Sequence, residues 1–281
     1  MTVREVLARS AEFLERKGVE SPRLDAELLV AHALGVSRVD LYTDFDRALG
    51  ADEVATAREL VARRGAREPL AYVLGEWGFR RLVLRTDARA LVPRPETEVV
   101  VERALAAIEG VESPRAVDVG TGSGAIALAL ADERPDARVT ATDVSADALA
   151  LARENAERLG LAVELVRTEL LDGLAGPFDL VVSNPPYVVG DELGAVEPEV
   201  RDREPRVATV DAGQTAELVR AARDVLAPGG AIVLECHADR GPEVAALLDA
   251  AGYTATSITR DLAGRERVVE ARWQPTPFSR R

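Results

Sequence analysis

From residue 116 onward the chain alternates short apolar, β-prone runs with helix-patterned stretches, and this alternation limits the possible folds more than any other feature. The runs fall at 116–119, 138–142, 163–166, 178–182 and 231–235. Strands separated by helical stretches cannot pair as hairpins. Each must cross over to the next, which predicts a mostly parallel sheet covered by helices on both faces. Two further β-type runs at 253–259 and 267–273, joined by a short loop at 262–265, predict an antiparallel edge.

The first 75 residues have a different texture. Thr2 with Glu5 fits a capping box, Val6, Phe13 and Leu14 mark an apolar stripe, and Gly18 is placed to stop that helix. Ser21-Pro22 starts a second helix, whose stripe runs through Leu24, Leu28, Leu29 and Ala33 to Gly35. Ser37 with Asp40 marks a third start, and Asp52 opens a fourth through Val54, Leu60 and Val61. These residues predict a small helical bundle over 1–75. Residues 76–92, where β-prone pieces alternate with Gly and Pro, predict a hairpin linker to a domain spanning 93–281.

Charge and cysteine usage exclude several classes. The 281 residues carry a net charge of -13, of which -2 falls on residues 1–75 and -11 on the remainder. A summed field of that sign repels phosphate, so nucleic acid is not expected as a partner. Cys236 is the only cysteine and the histidines number two, so neither an intrachain disulfide nor a Cys-based metal cluster can form and no metal is expected. No basic segment followed by an apolar run opens the chain, and no stretch of about 20 apolar residues occurs. The expectation is therefore a cytoplasmic protein without a membrane anchor, and a monomer.

The first run leads into Val119-Gly120-Thr121-Gly122-Ser123-Gly124 and then into a helical stretch. Glycines permit a tight turn and a close ligand approach, and free N–H groups at a helix start favour electronegative atoms. A ligand-free turn would need the same residues, and the spacing also satisfies the dinucleotide pattern. Asp143 ends the second run, about 20 residues further on, where a carboxylate is placed to accept both hydroxyls of a ribose. That supports a nucleoside-containing cofactor without choosing between NAD and S-adenosylmethionine. At the end of the third run, Glu169 and Leu170 stand where an adenine could sit.

The fourth run ends in Asn184-Pro185-Pro186-Tyr187. Two prolines cannot continue a central strand, so the chain leaves the sheet here with a stiff backbone. Asn184 and Tyr187 are thereby held at the carboxyl edge, where open α/β sheets bind ligands. The arrangement suits methylation of a planar nitrogen. The Asn184 side-chain oxygen and the Pro185 carbonyl can accept the two N–H groups of an amide or exocyclic amine while the Tyr187 ring packs on the flat group.

With these motifs in order, residues 118–124, Asp143 and 184–187 resemble class I S-adenosylmethionine-dependent methyltransferases. Leu91-Val92-Pro93-Arg94-Pro95-Glu96-Thr97-Glu98, preceded by Pro69-Leu70-Ala71-Tyr72-Val73-Leu74-Gly75-Glu76, is similar specifically to the release-factor glutamine methyltransferases. The resemblance spans nearly the whole chain. It implies a Rossmann-like, doubly wound seven-stranded sheet, with S-adenosylmethionine as cofactor. The implied reaction is methylation of the glutamine amide in the Gly-Gly-Gln motif of class 1 peptide-chain release factors, with residues 1–75 as a docking domain. By position it implies Gly120, Thr121, Gly122, Ser123 and Gly124 at the methionine portion, Asp143 at the ribose, and Glu169 and Leu170 at the adenine. Asn184, Pro185, Pro186 and Tyr187 would hold the glutamine, with Asn184 also touching the cofactor. Two segments depart from the family pattern: Asp211 to Glu217, and Cys236 to Gly241. The alternatives are an N-methyltransferase acting on an exocyclic amine of a nucleic-acid base, which would need a basic cleft, and an NAD-dependent oxidoreductase, which leaves the Pro-Pro loop without a purpose. Arg94 and Glu96 either close over the cofactor or brace the linker, and His237 is expected to be structural.

Overall fold

The computed structural model describes residues 1–187, 194 and 197–275. They form two units: Met1–Glu76 together with Glu197–Arg203, and the described residues of Trp77–Val196 and Glu204–Arg281. None of the described helices is long and apolar enough to cross a membrane.

The first unit is built on helices whose ends follow local rules. Helix α1 (Val3–Arg16) opens on the Thr2–Glu5 capping box and α3 (Arg38–Thr43) on the reciprocal box of Ser37 and Asp40. Helix α2 (Pro22–Leu34) ends on Gly35 in the left-handed region at φ 63°. Helix α4 (Ala51–Gly65) starts one residue before Asp52, with Gly50 as its cap, and a fifth short helix, α5 (Leu70–Leu74), has no counterpart in the sequence reading. The predicted stripe of α2 is also corrected. Leu29 is buried but Leu24 is exposed, because the helix turns Asp25, the next residue, inward.

Asp25 meets Arg64 of α4. Nε of Arg64 donates to Asp25 Oδ2 at 2.7 Å, and its Nη1 donates to Glu199 Oε1 at 2.7 Å. All three residues are buried. Glu199 belongs to a helix from far along the chain, Pro198–Arg203 (α9 in chain order), and it also accepts from Arg67. One guanidinium thus neutralises two buried carboxylates and ties α9 to the helices of residues 1–76.

In the second unit, the hairpin β1 (Glu76–Phe79) and β2 (Leu82–Arg85) buries Phe79, Leu82 and Leu84 in the core around the large sheet. Helix α6 (Thr97–Ala107) follows. The sheet comprises β3 (Arg115–Val119), β4 (Arg138–Asp143), β5 (Glu164–Arg167), β6 (Phe178–Ser183), β7 (Leu226–Glu235), β8 (Thr254–Arg260) and β9 (Glu266–Arg272), in the order β5-β4-β3-β6-β7-β9-β8. The five strands from β5 to β7 pair in parallel. The last two are antiparallel, with β9 inserted between β7 and β8. Strand β7 begins at Leu226, earlier than predicted, because Leu226 pairs with Phe178 beyond an irregularity.

Alternation along the strands builds two cores. Ala116, Ala141, Leu180, Val182 and Val233 point to one face, against α6 and α7 (Ala125–Glu133). Val117, Val119, Val181, Ile232 and Leu234 point to the other, against α11 (Gln214–Val225) and α12 (Gly241–Ala250). The predicted doubly wound, mostly parallel sheet of seven strands is the one observed.

Asp118, in the middle of this apolar pattern, is fully buried. Its Oδ2 accepts from the Thr121 hydroxyl at 2.6 Å and from the Ala127 amide at 3.1 Å, which closes the turn between β3 and α7. Burial pushes its carboxyl up to about 7, against the smaller opposing effect of those two hydrogen bonds.

Two outcomes are expected. Replacing Arg64 with Met strands the buried Asp25 carboxylate and leaves Glu199 with Arg67 alone, and should cost about 3–5 kcal/mol, measured by urea unfolding; unchanged stability would show that the triad contributes nothing. The folded state binds the Asp118 proton more tightly than the unfolded chain, whose carboxyl titrates near 3.8. This stabilisation is complete below about pH 4 and is lost as pH rises to about 7, at roughly 1.4 kcal/mol per pH unit. Asp118→Asn should remove that component, so the difference between variant and wild type must change with pH over this window.

Candidate active site

Strands β3 and β6 are neighbours in parallel register, with Val119 opposite Ser183. The Ser183 hydroxyl donates to the Val119 carbonyl at 2.6 Å. The glycine turn after β3 and the Asn-Pro-Pro loop after β6 therefore emerge side by side at the carboxyl edge, where the strand order reverses.

The three glycines of the turn serve different ends. All have left-handed backbones, with φ of 72°, 57° and 88° for Gly120, Gly122 and Gly124. A Cβ on Gly120 would meet nothing within 4 Å, so this residue opens onto space. A Cβ on Gly124 would stand 2.9 Å from Leu128 and 3.3 Å from Ala152. Gly124 does not line the cavity described below; its lack of a side chain lets α7 pack against α8 (Ala146–Leu159).

The turn hangs from β4. Gly120 and Thr121 both donate their amides to the Thr142 carbonyl at 2.9 Å. Asp143 follows directly, its Oδ2 accepting from Gly122 N at 3.0 Å and its Oδ1 from Ser145 N at 2.9 Å. Each carboxylate oxygen keeps a further lone pair for a ligand hydroxyl. Beyond β5, Thr168 donates its amide to the Asp143 carbonyl and Leu170 receives the Thr142 hydroxyl at 3.0 Å. Leu170 adopts φ 48°, an uncommon conformation for a residue with a side chain.

These elements enclose a cavity of about 290 Å³. Gly120, Thr121, Gly122, Ser123, Asp143, Glu169, Leu170, Asn184, Pro185 and Pro186 all line it, as do Arg94 and Thr97. Tyr187 does not. Its ring lies against His237, with centroids 6.0 Å apart at 53°. Burial raises its hydroxyl to about 12, with the nearby Glu235 charge adding to the effect, so it remains neutral. Residues 188–193, directly after it, lie outside the described residues.

Three buried polar groups around the cavity were not singled out from sequence. Asn155 of α8 accepts from the Arg85 amide at 2.7 Å and donates to the Ser123 carbonyl at 2.9 Å, joining the end of β2 to the glycine turn. Thr97, at the start of α6, accepts from Asn184 Nδ2 at 3.3 Å. Thr97 also stands near Glu235 at the end of β7, whose carboxyl burial pushes up to about 7 while the Thr97 hydroxyl and Arg267 draw it back down. In the sequence Thr97 is a helix-start residue within the 91–98 segment and Glu235 one more acid at a strand end, and no local signal marks either as a neighbour of Asn184. Arg94 and Glu96 act as braces: both Glu204 oxygens accept from Arg94 Nη2 at 2.7 Å, and Glu96 pairs with Arg267 at 3.5 Å.

Known proteins align with both units. The family described as PrmC N-terminal domain matches residues 5–75, and the methyltransferase small domain matches residues 97–201. A release factor glutamine methyltransferase of Deinococcus radiodurans is 46% identical over 279 residues, covering 97% of this chain and 99% of its own. A protein of the same name from Geobacter sulfurreducens is 41% identical, covering 96% of each chain. Among solved structures, a methyltransferase from Pyrococcus furiosus superimposes with a TM-score of 0.51 at 20% identity, covering 78% of this chain and 98% of that one, a likeness of fold. A doubly wound sheet whose glycine turn, strand-end aspartate and Asn-Pro-Pro loop share one cavity, matched to such relatives along nearly its whole length, places this chain in the release factor glutamine methyltransferase family.

Proposed function

We propose that this protein uses S-adenosylmethionine to methylate the side-chain amide nitrogen (N5) of the glutamine in the Gly-Gly-Gln motif of class 1 peptide-chain release factors. The observation that carries the reading is that Asn184 and Pro185 line the same cavity as Gly120 and Asp143. An amide acceptor pair and a nucleoside site thus face the same space. The names of the relatives supply the substrate class.

The cavity fits the cofactor. Gly120 has no neighbour within 4 Å of where a Cβ would stand, so the backbone of Gly120, Thr121, Gly122 and Ser123 can approach the methionine portion closely, with Gly124 holding the turn in place. Asp143 retains acceptor capacity on both oxygens for the ribose hydroxyls, and Glu169 and Leu170 border the adenine position. Bound there, S-adenosylmethionine would supply an electrophilic methyl group.

The chain's own residues address the harder problem, which is the nucleophile. An amide nitrogen has its lone pair delocalised into the carbonyl and attacks poorly. Asn184 Oδ1 and the Pro185 carbonyl accept its two hydrogens and aim the lone pair, while Pro186 stiffens the loop. As the nitrogen loses planarity it becomes cationic, and the two acceptors stabilise charge that is absent from the ground state. The helical unit, which carries exposed Leu24, Val36, Val39 and Tyr42, is the docking surface for the release factor.

Purified protein, S-adenosylmethionine and a release factor should yield a mass increase of one methyl group on the Gly-Gly-Gln glutamine. Asn184→Ala should lower kcat by about 100-fold or more. An unmodified glutamine, or labelled methyl transferred to RNA and not to protein, would overturn the assignment. Asp143→Ala should weaken cofactor binding by about 1.5–3 kcal/mol, read by calorimetry; wild-type affinity would remove Asp143 from the ribose site.

A further inference from the structure

Asn184 is a symmetric-looking amide with opposite chemistry on its two branches, so its use as an acceptor depends on which branch faces the cavity. The Nδ2 branch is engaged by Thr97 Oγ1 at 3.3 Å, which turns Oδ1 the other way. Thr97 is itself buried, and its hydroxyl lies between Asn184 and the buried carboxylate of Glu235. Asn184, Thr97 and Glu235 come from three separate elements, the β6 loop, the start of α6 and the end of β7.

We infer that Thr97 and Glu235 are positioning residues that set the direction of this hydrogen-bond chain and so hold Asn184 with Oδ1, not Nδ2, toward the substrate amide. The inference rests on the reading of Asn184 as acceptor for the glutamine N–H. A carboxylate can only accept, and a threonine hydroxyl has a single hydrogen to give. In the inferred arrangement Thr97 turns its hydrogen toward Glu235, and the lone pair left on Thr97 accepts from the N–H branch of Asn184. A flipped amide would set Oδ1 against the Thr97 lone pair, acceptor facing acceptor, and its NH2 group against the substrate N–H groups, donor facing donor. The negative end of the chain also polarises the Asn184 amide and strengthens Oδ1 as an acceptor when the substrate nitrogen becomes cationic.

The direction persists only while Glu235 is ionised. A protonated Glu235 can donate to Thr97, which frees the Thr97 hydrogen to point at Asn184 and removes the preference for one amide orientation. Several charged groups act on Glu235: Arg94 and Glu96 from the segment before α6, Arg267 from β9, and Tyr187 from the β6 loop. Its Oε2 has no hydrogen-bond partner among the described residues. Burial outweighs the arginines and pushes the carboxyl up to about 7. Activity should accordingly rise with pH through neutrality.

The test measures glutamine methylation by wild type and by Thr97→Val, Thr97→Ser, Glu235→Gln and Asp118→Asn, from pH 6 to 8.5, with cofactor affinity by calorimetry and melting temperature for each. Thr97→Val should lower kcat about tenfold, the loss of one hydrogen bond in the transition state, with cofactor affinity unchanged. Thr97→Ser, which restores the hydroxyl, should return kcat to within about twofold of wild type. The acid limb near neutral pH should vanish in Glu235→Gln and persist in Asp118→Asn. If Thr97→Val destabilises the fold, the pH profile of Glu235→Gln decides. Wild-type kcat in Thr97→Val, a serine variant no better than valine, or an acid limb retained in Glu235→Gln overturns the inference alone. A wild-type protein that leaves the glutamine unmodified overturns the functional reading as well.

Discussion

The parallel pairing of β3 with β6 is the contact on which the site depends. Adjacent strands lie about 4.8 Å apart, so the turn that follows Val119 and the loop that follows Ser183 cannot avoid one another. One strand between them would double that spacing and separate the cofactor side of the cavity from the amide side. The Ser183 hydroxyl, bonded to the Val119 carbonyl, holds the two strand ends in step where ladder bonding stops. Everything proposed for Asn184 presumes this junction.

Around the junction the protein buries charge in different ways. In the helical unit, Arg64 meets Asp25 and Glu199, so opposite charges are buried together. Asp118 has no such partner among the described residues. It is satisfied on one oxygen by Thr121 and Ala127 and responds to burial by holding its proton more tightly. Glu235 lies between these cases, buried like Asp118 yet close to a hydroxyl, that of Thr97, which leads to the site. A carboxylate with a perturbed affinity for its proton is useful only where something reads its state. In the proposed chain Thr97 and Asn184 provide that connection for Glu235, whereas Asp118 closes a turn.

The fold and much of the site were legible because their signals are local. Capping at Thr2 and Ser37 involves residues three apart, and strand alternation needs only the pleat. The glycine turn, Asp143 and the Asn-Pro-Pro loop each sit at the end of a recognisable strand, and topology alone sends parallel strand ends to one edge. The reading failed where a neighbour from elsewhere in the chain decides. Leu24 has the spacing of a core residue but is exposed, because burying Asp25 against Arg64 rotates α2. Gly124 matched the ligand-binding pattern, yet its close neighbours are Leu128 and Ala152.

By itself, then, the amino-acid sequence determined a helical unit, a mostly parallel sheet and which motifs stand at its strand ends, since propensity, periodicity and turn geometry act over a few residues. The tertiary structure alone decided that β9 enters between β7 and β8, that α9 joins the helices of residues 1–76, and that Thr97 and Glu235 stand behind Asn184. These outcomes depend on side chains distant in sequence competing for the same buried space. A hydrogen bond between elements leaves no trace in the spacing of either one.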